Sequence, residues 1–160
     1  MRDIICNTSP LQYLHHLNQL ELLPRLTQGI IVPDAVVAEL AAGAASGIDL
    51  PQPTQLEWCT IRTPKSVSVL PLVSGLGAGE IAVLALALEA DDALVVLDDA
   101  QARFRAERLN IALTGTIGLL LDAKRAGLIN AVRPLLDDLQ RLRFRLSTSI
   151  RQMALELAGE

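Results

Sequence analysis

Three acidic residues, far apart in the sequence, occupy positions where strands end or helices begin. Glu39 lies early in a helix that follows an apolar strand, Glu80 begins a helix after a glycine-rich turn, and Asp98 ends another strand. Asn7 ends the first strand in the same way. Open α/β sheets collect ligands at the carboxyl ends of their strands, so we expect these side chains to converge on one crevice. Converging carboxylates repel one another, and a hard divalent cation is the usual neutralising partner.

Each acid also has a structural interpretation. Glu39 could be the solvent-facing residue of a largely apolar helix, and Glu80 could stabilise a first helical turn through the helix dipole. Asp98 and Asp99 both follow an apolar strand, and Asp99 alone could cap the next helix, which leaves Asp98 without a structural role. A pair of aspartates at a strand end therefore favours a metal or phosphate-transfer site.

Hydroxyl side chains lie at the same predicted strand ends. Thr114 and Thr116 stand between a strand and a helix, where hydroxyl and amide groups can hold an anion or a water molecule, or can simply cap the helix. Thr8 and Ser9 follow the first strand. We expect Ser9 to cap the first helix, with Pro10 in its first turn.

The elements that must position these side chains are short apolar strands alternating with helices. We expect strands at 4–6, 30–32, 58–61, 94–97 and 111–113. We expect helices at 9–17, 20–26 (interrupted at Pro24), 33–42 (ended by Gly43), 77–90, 99–109, 115–126, 130–142 and 147–158, and the pattern leaves 67–75 open. Continuous apolar strands separated by helices predict an α/β fold, a three-layer α/β/α sandwich around a mainly parallel sheet of about five strands.

Length and composition predict one well-buried domain over residues 1–160. A chain of 160 residues should bury roughly 70% of its unfolded surface. Aromatic residues make up only 2% of the chain, which argues against RNA-binding platforms of the RRM or OB type. Cys6 and Cys59 are expected to be buried thiols in a reducing cytoplasm. The longest apolar stretch, 81–88, is too short to span a membrane.

Several other kinds of site are excluded or weak. His15 and His16 are consecutive, so they face different sides of a helix and make a poor metal pair. The sequence contains no zinc spacing and no nucleophile elbow. The glycine-rich segment 75–79 lacks the lysine of a phosphate-binding loop, and it is a weak nucleotide fingerprint.

Positive charge is concentrated in the later part of the chain, although the net charge is −4. Residues 1–100 contain 12 acids and 4 Lys or Arg residues, whereas residues 101–160 contain 6 acids and 10 Lys or Arg residues. The later part is thus the natural place to meet a polyanion. For any single arginine, a solvated helix face with local ion pairs is the better explanation.

Several short motifs occur together in an order that resembles PIN-domain proteins, most closely an uncharacterised branch related to VapC toxins. The resemblance covers residue 4 to about residue 129. Its motifs are Asn7-Thr8-Ser9-Pro10-Leu11, the segment 30–39, Gly79-Glu80-Ile81-Ala82, Leu97-Asp98-Asp99 with Arg103, and Thr114-Gly115-Thr116-Ile117-Gly118.

This resemblance implies a ribonuclease that depends on Mg²⁺ or Mn²⁺ and hydrolyses RNA phosphodiesters. Such proteins are often the toxin of a toxin–antitoxin pair and often homodimers. Glu39, Glu80 and Asp98 match the family's acidic, metal-binding and catalytic positions, and Asp99 is a neighbouring candidate. The supporting polar groups would be Thr8, Ser9, Thr114 and Thr116, and the candidate RNA contacts Arg103, Arg105, Lys124 and Arg125.

Asn7 departs from the family pattern, because PIN nucleases commonly have aspartate at this position. An amide oxygen can bind Mg²⁺ but adds no charge, so a second cation should bind less tightly. A catalytically weak PIN-like module that acts through a protein partner is therefore the alternative. A receiver-like signalling domain fits less well, because receivers place their acid pair after the first strand.

The C-terminal helices at about 130–158 either belong to the domain or form a partner or dimer interface. Ile150, Met153, Ala154 and Leu157 lie along one side of the last helix. We expect that side to dock onto the chain's own sheet, in preference to a dimer or antitoxin contact.

Overall fold

A computed structural model describes residues 2–66 and 75–160. Within these ranges five strands form one sheet in the order β3-β2-β1-β4-β5, and every neighbouring pair is parallel. The strands are β1 Asp3–Cys6, β2 Ile30–Pro33, β3 Cys59–Arg62, β4 Ala93–Val96 and β5 Ala112–Thr114. The open segment at 67–74 lies outside the described residues.

Helices flank this sheet and complete the three-layer α/β/α sandwich that the sequence predicts. They are α1 Thr8–His16, α2 Leu22–Leu26, α3 Asp34–Ala45, α4 Ala78–Glu89, α5 Ala100–Arg108, α6 Thr116–Arg125, α7 Arg133–Arg141 and α8 Thr148–Leu157, with a short 3-10 turn at Pro53–Gln55. The central strands are buried on both sides, which explains their continuous apolar sequences. In the described ranges no helix combines the length and hydrophobicity needed to cross a bilayer.

Three predicted helix boundaries are wrong. The first helix begins at Thr8, with Asn7 at the N-cap, so Ser9 lies inside the first turn and does not cap it. Pro24 does not interrupt α2, because it is the third residue of that helix, where the amide donor has no intrahelical partner. Gly43 does not end α3; a Cβ there would lie 2.5 Å from Leu50 Cδ1, so the glycine makes room for the following loop.

The expectation for the last helix is also wrong. Helix α8 packs against α6 and not against the sheet, and its buried residues are Ala154 and Leu155. Ile150, Met153 and Leu157 are 45%, 54% and 58% exposed. Of the predicted apolar side only Ala154 is buried, together with Leu155 from the neighbouring side of the helix.

The chain reverses its direction across the sheet between β1 and β4. It moves outward from β1 to β2 and β3, and then returns to place β4 on the other side of β1. In open α/β sheets, ligands bind outside the carboxyl ends of the strands at this kind of reversal. The Asn7 amide donates to the Val96 carbonyl at 3.2 Å. Asn7 therefore marks the carboxyl end of the two strands that flank the reversal.

Candidate functional site

Asn7 lies at the centre of the site and is almost fully buried. Asn7 is 4% exposed. It is the N-cap residue of α1, but its side chain makes no capping hydrogen bond. Its Oδ1 atom is buried and has no hydrogen-bond partner among the described residues. Buried polar atoms in folded proteins are nearly always satisfied, so this oxygen requires a ligand or a functional explanation.

Glu39 is held in a fixed position beside Asn7 by two donors from different helices. The Thr8 hydroxyl donates to Glu39 Oε1 at 2.5 Å, and the Gly79 amide donates to Glu39 Oε2 at 3.1 Å. Glu39 follows buried Val36 and precedes buried Leu40 on α3, so its side chain lies close to the core-facing side and reaches the starts of α1 and α4. The solvent-facing interpretation of this residue is therefore wrong.

Gly79 allows α4 to approach these two side chains. A Cβ at this position would overlap the Glu39 carboxylate, lying 3.0 Å from Cδ, and would lie 3.1 Å from Asn7 Oδ1. Any other residue would force Glu39 away from the edge of the sheet. The glycine-rich segment therefore makes room for side chains of the protein itself, whereas the sequence suggested a role for it only with a bound ligand.

Glu80 and Asp99 form a close pair of carboxylates. Glu80 Oε1 accepts from the Gly77 amide at 3.0 Å, while its buried Oε2 has no hydrogen-bond donor within the described ranges. Burial raises the pKa of Glu80, the Gly77 amide partly opposes this, and the negative charges of Asp99 and Glu39 raise it further. Asp99 Oδ2 caps α5 by accepting from the Ala102 amide at 3.0 Å, as predicted.

Asp98 instead binds the start of α6. Its Oδ1 accepts from the Thr116 amide at 2.8 Å and its Oδ2 accepts from the Thr116 hydroxyl at 2.7 Å. Burial raises the pKa of Asp98, and the Thr116 bonds and the Arg103 charge partly offset that rise. A structural role for Asp98 is therefore visible. The anion that binds at the Thr114–Thr116 turn is thus the Asp98 carboxylate of the chain itself.

The acids are close but do not form the three-carboxylate centre that the sequence predicts. Among residues 2–66 and 75–160, no three His, Cys, Asp or Glu side chains lie close enough to hold a metal ion. Glu39 is turned toward Thr8 and Gly79, and Asp98 toward Thr116. Each of these two carboxylates therefore accepts hydrogen bonds from its own donors, away from a common centre.

The oxygen ligands at the carboxyl edge of the sheet are nevertheless of the kind that a hard cation binds. Asn7 Oδ1 and Glu80 Oε2 are the two buried side-chain polar atoms that lack a partner in the described structure. Both are at the carboxyl edge of the sheet, next to Glu39 and Asp99. Carboxylate and amide oxygens are the ligands that Mg²⁺ takes in proteins, usually with several retained waters.

The other polar residues predicted for the site lie partly at the carboxyl edge of the sheet and partly elsewhere. Ser9 is half-buried in the first turn of α1, and the Thr114 hydroxyl faces Gly118, where a Cβ would overlap it. Tyr13 was not singled out by the sequence reading, yet burial and the Asp98 charge raise its pKa, which places it beside the site. A lone tyrosine on an amphipathic helix gives no sequence signal of this proximity.

Two of the four candidate RNA contacts are far from the acids. Lys124 lies eight residues beyond Thr116, about 12 Å along α6, and binds the Ala158 carbonyl at 2.6 Å and Glu160 at 2.9 Å. Arg125 forms an ion pair with Asp122 at 3.1 Å. Arg103 and Arg105 lie on α5, which starts at the acidic edge. Arg103 donates to the Leu97 carbonyl at 2.8 Å.

Comparison with known proteins agrees with this geometry. A family model described as a PIN domain matches residues 3–160. No curated protein matches the chain.

Proposed function

Because the chain belongs to the PIN-domain family, we propose that it is a metal-dependent ribonuclease that hydrolyses RNA phosphodiesters. PIN domains are generally nucleases that depend on divalent metal ions and act on RNA. The observation that carries the proposal is the pair of buried, unpartnered oxygens, Asn7 Oδ1 and Glu80 Oε2. Oxygens left unsatisfied beside other carboxylates suit a cation better than they suit a folded core.

In this proposal the unpartnered oxygens of Asn7 and Glu80 would bind Mg²⁺ or Mn²⁺ directly, and Glu39 and Asp99 would bind the waters that such an ion retains. When bound, such an ion lowers the pKa of a coordinated water and neutralises charge on the scissile phosphate. Asp98 remains a predicted catalytic ligand, and its bonds to Thr116 also give it a positioning role.

The chain's own groups would prepare the site before any substrate arrives. Thr8 and the Gly79 amide fix the Glu39 carboxylate. Asp98 fixes the start of α6, and Arg103 holds the end of β4 through the Leu97 carbonyl. These bonds limit the reorganisation needed for catalysis, which is a main source of rate enhancement.

A cleavage assay tests the proposed function. Purified wild-type protein, freed of metal and then supplied with Mg²⁺ or Mn²⁺, should cleave single-stranded RNA, and chelation should stop it. The variants E80Q, D98N and D99N should be compared on the same RNA. Equal cleavage by wild type and E80Q would rule out the assigned site.

We also propose that the chain is the toxin-like component of a toxin–antitoxin pair, related to VapC proteins, and that it acts as a cytoplasmic homodimer. Support comes from α8, where Ile150, Met153 and Leu157 expose apolar surface that a second protein could cover. The protein encoded beside it should co-purify with it and suppress cleavage. A chain that cleaves RNA equally well with and without that neighbour would contradict the toxin–antitoxin assignment.

The alternative is a PIN-like module with little or no catalytic activity that acts through a partner. Asn7 favours it, because the site has one negative charge fewer than an aspartate would supply at that position. The variant N7D distinguishes the two. Cleavage by N7D that far exceeds cleavage by wild type would favour the alternative for the natural chain, whereas wild-type cleavage equal to that of N7D would exclude it.

A further inference from the structure

An aromatic side chain is exposed on the helix that begins at the acidic site. Phe104 is 53% exposed, whereas the other phenylalanine, Phe144, packs edge-on against Tyr13 with ring centroids 4.9 Å apart. Phe104 lines a shallow hollow of about 390 Å³ together with Ala100, Gln101 and Arg105. Among the described residues, Phe104 belongs neither to the hydrophobic core nor to the side chains that pack against it.

Two arginines flank this ring. The Arg105 and Arg108 guanidinium carbons lie 5.8 Å and 5.9 Å from the Phe104 centroid. In the part of the chain that the structure describes, neither arginine takes part in an ion pair. Glu107 is the one acid within α5, against Arg103, Arg105 and Arg108, so the helix remains net positive.

The position of Phe104 relative to the acids suits a single nucleic-acid strand. Asp99 is the N-cap of α5, and Phe104 is five residues further on, about 7.5 Å along the helix axis. Gln101, which lines the hollow with Phe104, also contacts Gly75 just before α4, so the hollow continues toward the acidic edge and a strand could extend from one to the other. Single-strand binding generally combines cations for the backbone with an aromatic ring on which a base stacks.

We propose that Phe104, Arg105 and Arg108 form a contact surface for single-stranded RNA, in which a base stacks on Phe104 and the arginines bind the adjacent phosphates. This inference rests on the proposed function for its choice of ligand. A folded protein partner is a weaker fit, because among the described residues the surface has one exposed ring between two cations that form no ion pair. The ring contributes stacking, and the arginines contribute attraction that depends on salt.

The test is fluorescence anisotropy of a labelled oligouridylate, measured in a chelating buffer so that metal-dependent cleavage cannot occur. We expect F104A to weaken binding by about 5- to 100-fold without changing the salt dependence, since stacking is independent of counterion release. F104L, which keeps apolar bulk but has no ring, should weaken binding in the same way. R105Q/R108Q should reduce the slope of log affinity against log salt by about 1.4.

A matched control removes the same charge elsewhere. Arg2 and Arg25 precede β1 and β2, at the opposite edge of the sheet, so R2Q/R25Q should leave both the affinity and the slope close to wild type. M153A on α8 serves as a control for loss of an exposed apolar side chain. Thermal unfolding by circular dichroism establishes that each variant is folded.

The outcomes separate this surface from the proposed activity. Binding by F104A and F104L within about twofold of wild type, or a slope change in R2Q/R25Q equal to that in R105Q/R108Q, would overturn the surface while leaving cleavage intact. Unchanged RNA binding together with a loss of self-association by F104A in sedimentation would assign the ring to a protein contact. Weakened binding in F104A with no cleavage by wild type under any metal would support the surface and refute the nuclease.

Discussion

The carboxylates of Glu80 and Glu160 both accept hydrogen bonds from amides at the start of a helix, α4 and α7 respectively, but their surroundings are opposite. Glu160 accepts hydrogen bonds from the Lys124 ammonium at 2.9 Å, the Val132 amide at 2.7 Å and the Arg133 amide at 3.1 Å. These donors lower its pKa to about 2. Glu80 accepts one bond from Gly77 and faces other acids, and burial together with those charges raises its pKa.

The difference separates a structural acid from a functional one. At Glu160 the hydrogen-bond donors outweigh the opposing effect of burial and stabilise the ionised carboxylate, so the residue ties α6 and the start of α7 to residue 160. At Glu80 the ionised form is left with an unpartnered buried oxygen. Functional sites often retain such locally unfavourable groups, because removing them would improve stability at the cost of activity.

Replacing Glu80 by glutamine should have the largest effect on cleavage and almost none on folding. Glutamine keeps an oxygen for the Gly77 amide, as either residue can serve in a capping box, but it removes the charge. Loss of a metal ligand should reduce cleavage roughly 10²- to 10³-fold, equivalent to several kcal/mol. The free energy of unfolding without metal, measured in urea, should equal or exceed that of wild type. A clearly less stable E80Q would mean that Glu80 has a structural role.

Removing the Asp98 carboxylate should reduce stability. In D98A the buried Thr116 donors lose their acceptor, so the free energy of unfolding should fall by about 1.5–3 kcal/mol. T116V removes only the hydroxyl bond and keeps the backbone amide bond, so it should lose less than D98A. D98A/T116V should lose less than the sum of the two, since the hydroxyl bond is broken by either change. Mn²⁺ affinity of the folded D98N protein tests its other role: affinity as low as that of D99N would make Asp98 a ligand.

Adding a charge at Asn7 should strengthen cation binding. N7D places a carboxylate where Asn7 Oδ1 now lies without a partner, and the extra charge should tighten Mn²⁺ about tenfold, equivalent to about 1.4 kcal/mol. Without metal the same variant should be less stable than wild type, because the new charge adjoins Glu39. Calorimetric titration with Mn²⁺ and urea unfolding measure the two effects. Unchanged affinity would place Asn7 outside the cation site.

The Glu160 carboxylate should give a pH dependence with a definite sign. Its pKa is about 2 in the folded chain and near 4.5 when unperturbed, so its stabilisation is fully present above pH 4.5 and is lost as the pH falls toward 2. E160Q should therefore be less stable than wild type at neutral pH, and the two urea midpoints should converge in acid. A difference that stays constant with pH would show that the charge of Glu160 contributes nothing.

The architecture followed from the sequence because it depends on local patterns. Short apolar runs such as Ile30–Val32 and Leu94–Val96 are typical of strands buried on both faces, and the intervening helices require parallel pairing. Those patterns were confirmed. The errors were at helix ends. Gly43 has a tertiary reason, its close approach to Leu50, which a local pattern does not contain. Pro24 is tolerated because α2 begins at Leu22, two residues later than the sequence predicts.

The sequence predicted the region of the fold in which the site lies, but not the contacts within it. The acids were expected at one edge because strand ends meet there, and the structure places Asn7, Glu39, Glu80 and Asp99 close together. Which oxygen binds which donor depends on contacts across the fold, such as Thr8 with Glu39 over 31 positions of sequence. The exposure of Phe104 likewise follows from packing, since the same ring on a differently rotated helix would be buried.

Titration of metal-free protein with Mn²⁺, followed by calorimetry, tests the central claim most directly. We predict saturable binding to wild type, much weaker binding to E80Q, and binding to E160Q that equals wild type. Binding that is the same in wild type and E80Q, or that is lost equally in E80Q and E160Q, would contradict the assignment of Glu80 as a functional carboxylate.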